Sequence, residues 1–175
     1  MEIYLIRHTT PAIEKGVCYG QSDIALKNTF LQEASLVLEN LPKNIAKVYS
    51  SPLKRCTHLA KLIDKNYSTD ARLMEINFGL WELKKWDDIP WEESKSWMED
   101  FVNVSVPNGE SYISLQERVI DFYKEIIKNY ESSKVIAIVT HAGVIRALLS
   151  YLRNIDLKDS FELKVTYGQV FRVEV

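Results

Sequence analysis

Residues 1–10 read MEIYLIRHTT, and residues 135–146 read VIAIVTHAGVIR. Each stretch begins as a short, continuously apolar run, which is typical of a strand covered on both faces of a parallel sheet. The first run ends on Arg7 and His8, and the second ends on His141. Ligands of open α/β sheets bind beyond the carboxyl ends of the strands. An arginine and two histidines at such ends predict chemistry on an anion, most simply a phosphoryl group.

The composition excludes several classes of function. The 175 residues fit one domain, and the formal net charge of −2 argues against a nucleic acid or a membrane surface as a partner. Cys18 and Cys56 are too few for a disulfide framework and lack the spacing of a structural zinc site. No apolar run has the length of a signal or membrane-spanning segment, so we expect a cytoplasmic protein. The sequence does not indicate an oligomeric state.

Apolar spacing and turn residues predict an α/β architecture. Thr29 and Gln32 form a capping-box pattern at one helix start, and Ser51 with Pro52 marks another. Strands are predicted over residues 3–6, 47–49, 135–139 and 169–175, and further helices over 114–130 and 142–152. This order predicts a three-layer α/β/α sandwich with a mostly parallel central sheet. We expect a single domain over 1–175, with an irregular insert at about 81–106 that flanks the active site.

Three predicted strand ends deliver polar groups to one edge of the sheet. The first delivers Arg7 and His8, the second places Arg55 in the first turn of its helix, and the late strand delivers His141 with Ala142 behind it. Helix N-termini favour phosphate because they expose unpaired N–H groups and a partial positive charge. Guanidinium groups add bidentate donors that match phosphate oxygens. The residues therefore predict a local phosphate site.

Five stretches in this order resemble the motifs of the histidine phosphatase superfamily, also called phosphoglycerate-mutase-like: LIRHTT, YSSPLKR, RLMEINFGLWE, PNGES and VTHAG. The resemblance covers nearly the whole chain and implies the fold of that family and phosphatase activity. It also implies that His8 is the nucleophile that becomes phosphohistidine and that Glu75 is the proton donor. Arg7, Arg55 and His141, with the helix start at Ala142, would hold the phosphoryl oxygens. By the same resemblance, no metal and no other cofactor is required.

The chain departs from the family pattern close to the first histidine. Thr9 and Thr10 stand where the family usually has glycine and glutamate, and Leu83 replaces a glycine after the FGLWE stretch. Residues 17–23, VCYGQSD, resemble the α-ribazole phosphatase branch. That resemblance implies hydrolysis of α-ribazole 5′-phosphate, or of the adenosylcobalamin phosphate that contains it. The alternatives are a sugar-phosphate phosphatase, a phosphoglycerate-mutase-like enzyme, and an inactive module that only binds phosphorylated ligands.

Several residues are candidates for contacts with the part of the substrate beyond the phosphoryl group. Gln21 and Ser22 could reach phosphate or ribose, or could simply form a turn. Thr9 and Trp81 are further candidates for substrate contact. The four tryptophans of the insert could stack on a benzimidazole base, but anchoring the insert is the favoured role: Trp81, Trp86, Trp91 and Trp97.

Two other polar residues receive structural roles. Glu110 is predicted to cap the helix that follows it, and His58 to lie on the surface or in packing. The acidic residues of the insert are most simply a solvated face, because they lack the compact spacing of a metal site.

Overall fold

The computed structural model describes residues 1–175, and strands and helices alternate along most of the chain. The elements are β1 (Glu2–Arg7), α1 (Phe30–Glu39), β2 (Lys47–Ser50), α2 (Lys54–Ile63), β3 (Ser68–Thr69), α3 (Trp91–Glu99), α4 (Tyr112–Asn129), β4 (Val135–Thr140), α5 (Ala142–Arg153) and β5 (Val170–Glu174). Short 3₁₀ turns lie at Ala71–Leu73, Gly79–Trp81, Trp86–Asp88 and Leu157–Glu162.

The five strands form one sheet in the order β3-β2-β4-β1-β5. The first four strands in this order run parallel, and β5 pairs with β1 in the antiparallel direction at the edge. Parallel strands end at a common edge, so β1, β2 and β4 bring the residues that follow them together. The predicted mostly parallel α/β sheet is confirmed.

The two faces of the sheet are covered by different helices because side chains alternate along each strand. Ile3 and Ile136, which are paired in register, lie in a core with the apolar faces of α4 and α5. Ile6 and Val139 point the other way, into a second core with α1 and α2. Every residue of β4 is buried, since this central strand is covered on both faces. The architecture is therefore the predicted three-layer sandwich.

Two helix starts differ from the prediction. Thr29 precedes α1, but its hydroxyl donates to Glu33 instead of capping the backbone, so the capping box with Gln32 is wrong. Helix α2 begins at Lys54, later than Ser51 and Pro52 predict. The Ser51 hydroxyl is held by His141 at 2.8 Å, which removes it from a normal N-cap role. Arg55 still lies in the first turn of α2, as predicted.

The insert is more ordered than the sequence indicated, since it contains α3 and the 3₁₀ turn at Trp86–Asp88. Trp81, Ile89 and Val106 form a small core of their own with Cys18 of the first loop. Through this cluster the insert packs against the loop after β1.

The predictions of a structural role for Glu110 and for His58 have different outcomes. Glu110 does not cap α4; Ser111 does, and Glu110 pairs with Arg118 at 2.7 Å. His58 is exposed and bonds the Lys54 carbonyl within α2, as expected for a surface role. None of the helices is long and apolar enough to cross a membrane.

Candidate active site

A cavity of about 390 Å³ collects the residues that follow the strands. Its lining includes Arg7 and His8 after β1, Arg55 of α2, and His141 with Ala142 after β4. Glu75, from the segment after the Ala71–Leu73 turn, lies in the same wall. The structure thus places together all six residues to which the sequence assigned a catalytic or phosphate-binding role.

His8 is buried and held by one nitrogen. Its Nδ1 lies 2.7 Å from the Thr9 carbonyl oxygen, which accepts only, so Nδ1 carries the proton of the neutral ring. Nε2 has no hydrogen-bond partner in the protein and keeps its lone pair. Burial, helped by the charges of Arg55 and Arg7, holds the pKa of His8 well below 6.5. The resting ring is therefore neutral, with the lone pair of Nε2 available.

Arg55 orients the second histidine. Its Nε donates to Nδ1 of His141 at 3.3 Å, which leaves the ring proton of His141 on Nε2, facing the Ser51 hydroxyl at 2.8 Å. The two histidine rings meet edge to face with centroids 5.1 Å apart. Burial and the neighbouring Arg55 charge keep the pKa of His141 well below 6.5. His141 is thus a neutral N–H donor beside His8.

Two tyrosines hold the arginines at the cavity wall. The Arg7 guanidinium lies 3.8 Å from the Tyr167 ring centroid and donates to the Val165 carbonyl at 2.7 Å. Tyr19 faces Arg55, and the Tyr19 and Tyr167 hydroxyls are 2.8 Å apart. Neither tyrosine was predicted: Tyr19 lies in the VCYGQSD stretch but received no role there, and Tyr167 lies in no motif, 148 residues further along the chain.

Glu75 is anchored at the start of α5. Its Oε2 accepts from the Gly143 N–H at 3.1 Å, and its Oε1 accepts from the Ile76 N–H at 3.0 Å. A Cβ at Gly143 would overlap the Glu75 carboxyl group, so a larger residue here would displace that carboxyl group. Arg118 donates to the carbonyls of Met74 and Glu75, which fixes the backbone that carries the carboxyl group.

The four weaker candidates for substrate contact do not line the cavity. Gln21 donates to the Glu75 carbonyl, and Ser22 bonds Glu82. Thr9 is fully buried, and its hydroxyl has no partner. Trp81 is also fully buried and donates its indole N–H to Glu93. These side chains serve the protein's own packing, and the geometry supports no ligand contact for them.

The remaining wall is aromatic. Twelve of the 19 lining residues are hydrophobic, among them Trp86 and Trp97, which stack with centroids 5.8 Å apart. Other aromatic lining residues are Phe78, Phe101, Tyr112 and Phe161. Two of the four insert tryptophans therefore face the cavity, whereas Trp81 anchors the insert. The sequence does not indicate which of them face the cavity, because their spacing along the insert follows no helical or strand periodicity.

Arg146 is a further cation in the cavity that the sequence analysis missed. Its Nε donates to the Leu163 carbonyl at 3.0 Å, and burial lowers its pKa. Arg146 lies four residues after Ala142 on α5, so a helical spacing argument would have placed both on one face. No group of three or more His, Cys, Asp or Glu side chains is arranged to hold a metal ion.

The two cavity histidines predict a loss of stability in mild acid. Because both pKa values lie below 6.5 in the folded state, the unfolded chain binds protons below about pH 6.5 that the folded chain does not. As the pH is lowered, the free energy of unfolding should decrease by up to about 1.4 kcal/mol per pH unit for each histidine. Urea unfolding between about pH 6.5 and 5, in phosphate-free buffer, measures this slope above the range where carboxylates titrate. His141→Gln should remove about half of it, and an unchanged slope would contradict the assignment.

This geometry matches a known family. The chain belongs to the histidine phosphatase superfamily (branch 1), whose family model matches residues 3–175. It is similar to the adenosylcobalamin/alpha-ribazole phosphatase of Salmonella typhimurium, with 25% identity over 96% of this chain and 87% of that protein. It is also similar to phosphoserine phosphatase 1 of Hydrogenobacter thermophilus, with 27% identity over 90% of this chain and 78% of that protein.

A solved structure has the same fold. The alpha-ribazole phosphatase of Shigella flexneri superposes with a TM-score of 0.86 at 24% identity, covering 100% of this chain and 91% of that one. The family and the fold are thus shown by comparisons over nearly the full length of the chain.

Proposed function

We propose that the protein hydrolyses a small phosphate monoester through a phosphohistidine intermediate on Nε2 of His8. The observation that carries this proposal is the fixed ring of His8. The Thr9 carbonyl holds its Nδ1–H, and the free Nε2 shares the cavity with Arg7, Arg55 and His141. In the first step, Nε2 bonds to phosphorus while the ester P–O bond breaks. The N–H donors of the arginines and of His141 stabilise the charge on the phosphoryl oxygens.

Glu75 supplies the proton transfers in this scheme. Its protonated carboxyl group gives a proton to the leaving alkoxide in the first step. In the second step the carboxylate takes a proton from water, the water oxygen bonds to phosphorus, and the N–P bond breaks. Inorganic phosphate leaves, and His8 returns to its neutral form. The position of Glu75 in the cavity wall, in the same cavity as His8, supports this assignment.

For the substrate we favour α-ribazole 5′-phosphate, or adenosylcobalamin 5′-phosphate. Three observations support it: the VCYGQSD stretch, the name of the Salmonella relative, and the aromatic wall around Trp86 and Trp97. Flat apolar bases stack on aromatic side chains. The uncharged base would lie against that wall while the 5′-phosphate meets His8.

A phosphorylated hydroxy or amino acid is the second candidate. Arg146 lines the cavity and pairs with no carboxylate of the protein, so an acid group on the leaving alcohol would find a free cation. The Hydrogenobacter relative is named for phosphoserine, which carries such a group. Of the two candidates, the nucleotide-like substrate is favoured, because eight of the 19 lining residues are Phe, Trp or Tyr.

A panel of phosphate esters tests the substrate. We expect kcat/KM for α-ribazole 5′-phosphate to exceed that for phosphoserine, 3-phosphoglycerate and glucose 6-phosphate by about tenfold or more, the value of one or two well-placed contacts. The ranking by kcat/KM is the measurement. A panel led by phosphoserine or 3-phosphoglycerate would contradict the favoured substrate and support the second candidate. A folded protein without turnover of any ester, p-nitrophenyl phosphate included, would contradict the enzyme proposal and favour a binding module.

A further inference from the structure

We infer that Glu82 is a positioning residue that sets the phosphate affinity of Arg55 through one peptide unit of the loop after β1. The inference rests on the proposed function, because it assumes that Arg55 binds the phosphoryl group. Glu82 itself does not line the cavity, and its role would be exerted entirely through the loop.

The Glu82 carboxylate is surrounded by donors. It accepts from the N–H groups of Gly20, Gln21 and Ser22 at 2.8–3.1 Å and from the Ser22 hydroxyl at 2.6 Å. The Phe78 N–H donates to it at 3.1 Å. All of these donors are uncharged, so the carboxylate has no cation beside it. An acidic side chain with this many donors determines the conformation of residues 20–22.

The same loop holds Arg55 from the other side. Arg55 donates from Nη1 to the Ser22 carbonyl at 2.8 Å and from Nη2 to the Gly20 carbonyl. The Gly20 carbonyl and the Gln21 N–H belong to one peptide unit. This unit therefore donates to Glu82 at one end and accepts from Arg55 at the other. Hydrogen bonds in such a chain polarise and strengthen one another.

This arrangement also compensates the buried positive charge of Arg55. Its side chain is fully buried, and none of its hydrogen-bond partners is a carboxylate. A buried charge without compensation is costly. Glu82 supplies the opposite charge one peptide unit away. Burial alone would raise the pKa of Glu82, but the hydrogen bonds from Ser22 and from the loop N–H groups outweigh it and lower the pKa.

The contacts of the loop also orient Arg55 and His141 in the cavity. With both Nη atoms fixed by the loop, the Nε of Arg55 is aimed at Nδ1 of His141 and sets the tautomer of that ring. The loop lies close against the segment that carries Glu75, because a Cβ at Gly20 would overlap the Ile76 carbonyl and Gln21 donates to the Glu75 carbonyl at 3.0 Å. Glu82 thereby preorganises Arg55 and His141 for a phosphoryl group.

The test compares Glu82→Gln with the wild-type protein and with Glu14→Gln. Glu14 is a matched control, since its carboxylate is exposed and pairs only with Lys85. Calorimetric binding of inorganic phosphate at pH 7 is the first readout, and the NMR signal of the Arg55 Nε–H is the second. We expect Glu82→Gln to weaken phosphate binding by about tenfold to a hundredfold, as for charge-assisted hydrogen bonds, and to shift the Arg55 signal. Glu14→Gln should change neither.

The outcomes separate the inference from the proposed function. A folded Glu82→Gln protein with wild-type phosphate affinity and an unshifted Arg55 signal would overturn the inference alone. If that variant does not fold, Ser22→Ala decides, because it removes one donor and keeps the charge. We expect about a threefold loss of phosphate affinity, and no loss would overturn the inference. A wild-type protein that neither binds phosphate nor hydrolyses p-nitrophenyl phosphate would overturn both.

Discussion

Replacing His8 with alanine is expected to lower kcat for p-nitrophenyl phosphate by at least about 10⁴-fold, as the loss of a nucleophile does in other covalent enzymes. The buried ring is the only group in the cavity whose free nitrogen lone pair faces the cavity, since the Nδ1 of His141 is occupied by Arg55. Without it, the arginines still bind the ester but nothing accepts the phosphoryl group. Steady-state release of p-nitrophenolate measures the effect.

Covalent labelling makes this prediction specific. Wild-type protein quenched during turnover of a ³²P-labelled ester should carry acid-labile, base-stable label, as a phosphoramidate does, and His8→Ala should carry none. His58→Ala is the matched control, because His58 is exposed on α2 and only bonds its own helix. It should keep wild-type activity and labelling. Turnover by His8→Ala within about tenfold of wild type would contradict the nucleophile assignment.

Replacing Glu75 with glutamine is expected to lower kcat/KM for alkyl phosphates by about 10²- to 10⁴-fold, because their alkoxide needs a proton as it leaves. p-Nitrophenolate is a stable leaving group, so the first step with its ester should change much less. The second step still lacks the base that activates water. Glu75→Gln should therefore release one equivalent of p-nitrophenolate in a burst and then turn over slowly.

A leaving-group series gives the decisive measurement. The dependence of kcat/KM on the pKa of the leaving alcohol should be steeper for Glu75→Gln than for wild type. Glu99→Gln, an exposed carboxylate on α3, is the control and should match wild type. Equal losses for alkyl and p-nitrophenyl esters, with no burst, would show that Glu75 acts elsewhere than on the leaving group.

Much of the candidate site could be predicted because its residues are tied to strand ends. An apolar run that stops on Arg7-His8 and another that stops on His141 place these side chains at the edge where parallel strands finish together. Arg55 follows from the same rule, in the first turn of α2. Two helix caps were mispredicted because the side chain is engaged by another side chain. The Ser51 hydroxyl is held by His141 and Glu110 is held by Arg118, so neither acts as the expected cap.

By itself, the sequence determined the class of fold, the phosphate chemistry and the six residues that meet in the cavity. The fold class and five of these residues depend on local hydrophobic pattern and on the position of polar groups after strands, which are properties of neighbouring residues. Glu75 was implied by the resemblance of the RLMEINFGLWE stretch to the family's motifs. Only the tertiary structure decided which aromatic side chains line the cavity and that Glu82 meets Arg55 across the Gly20–Gln21 peptide. Those contacts join segments that are far apart in the chain. They depend on how the insert packs against the first loop, and no local period records that packing.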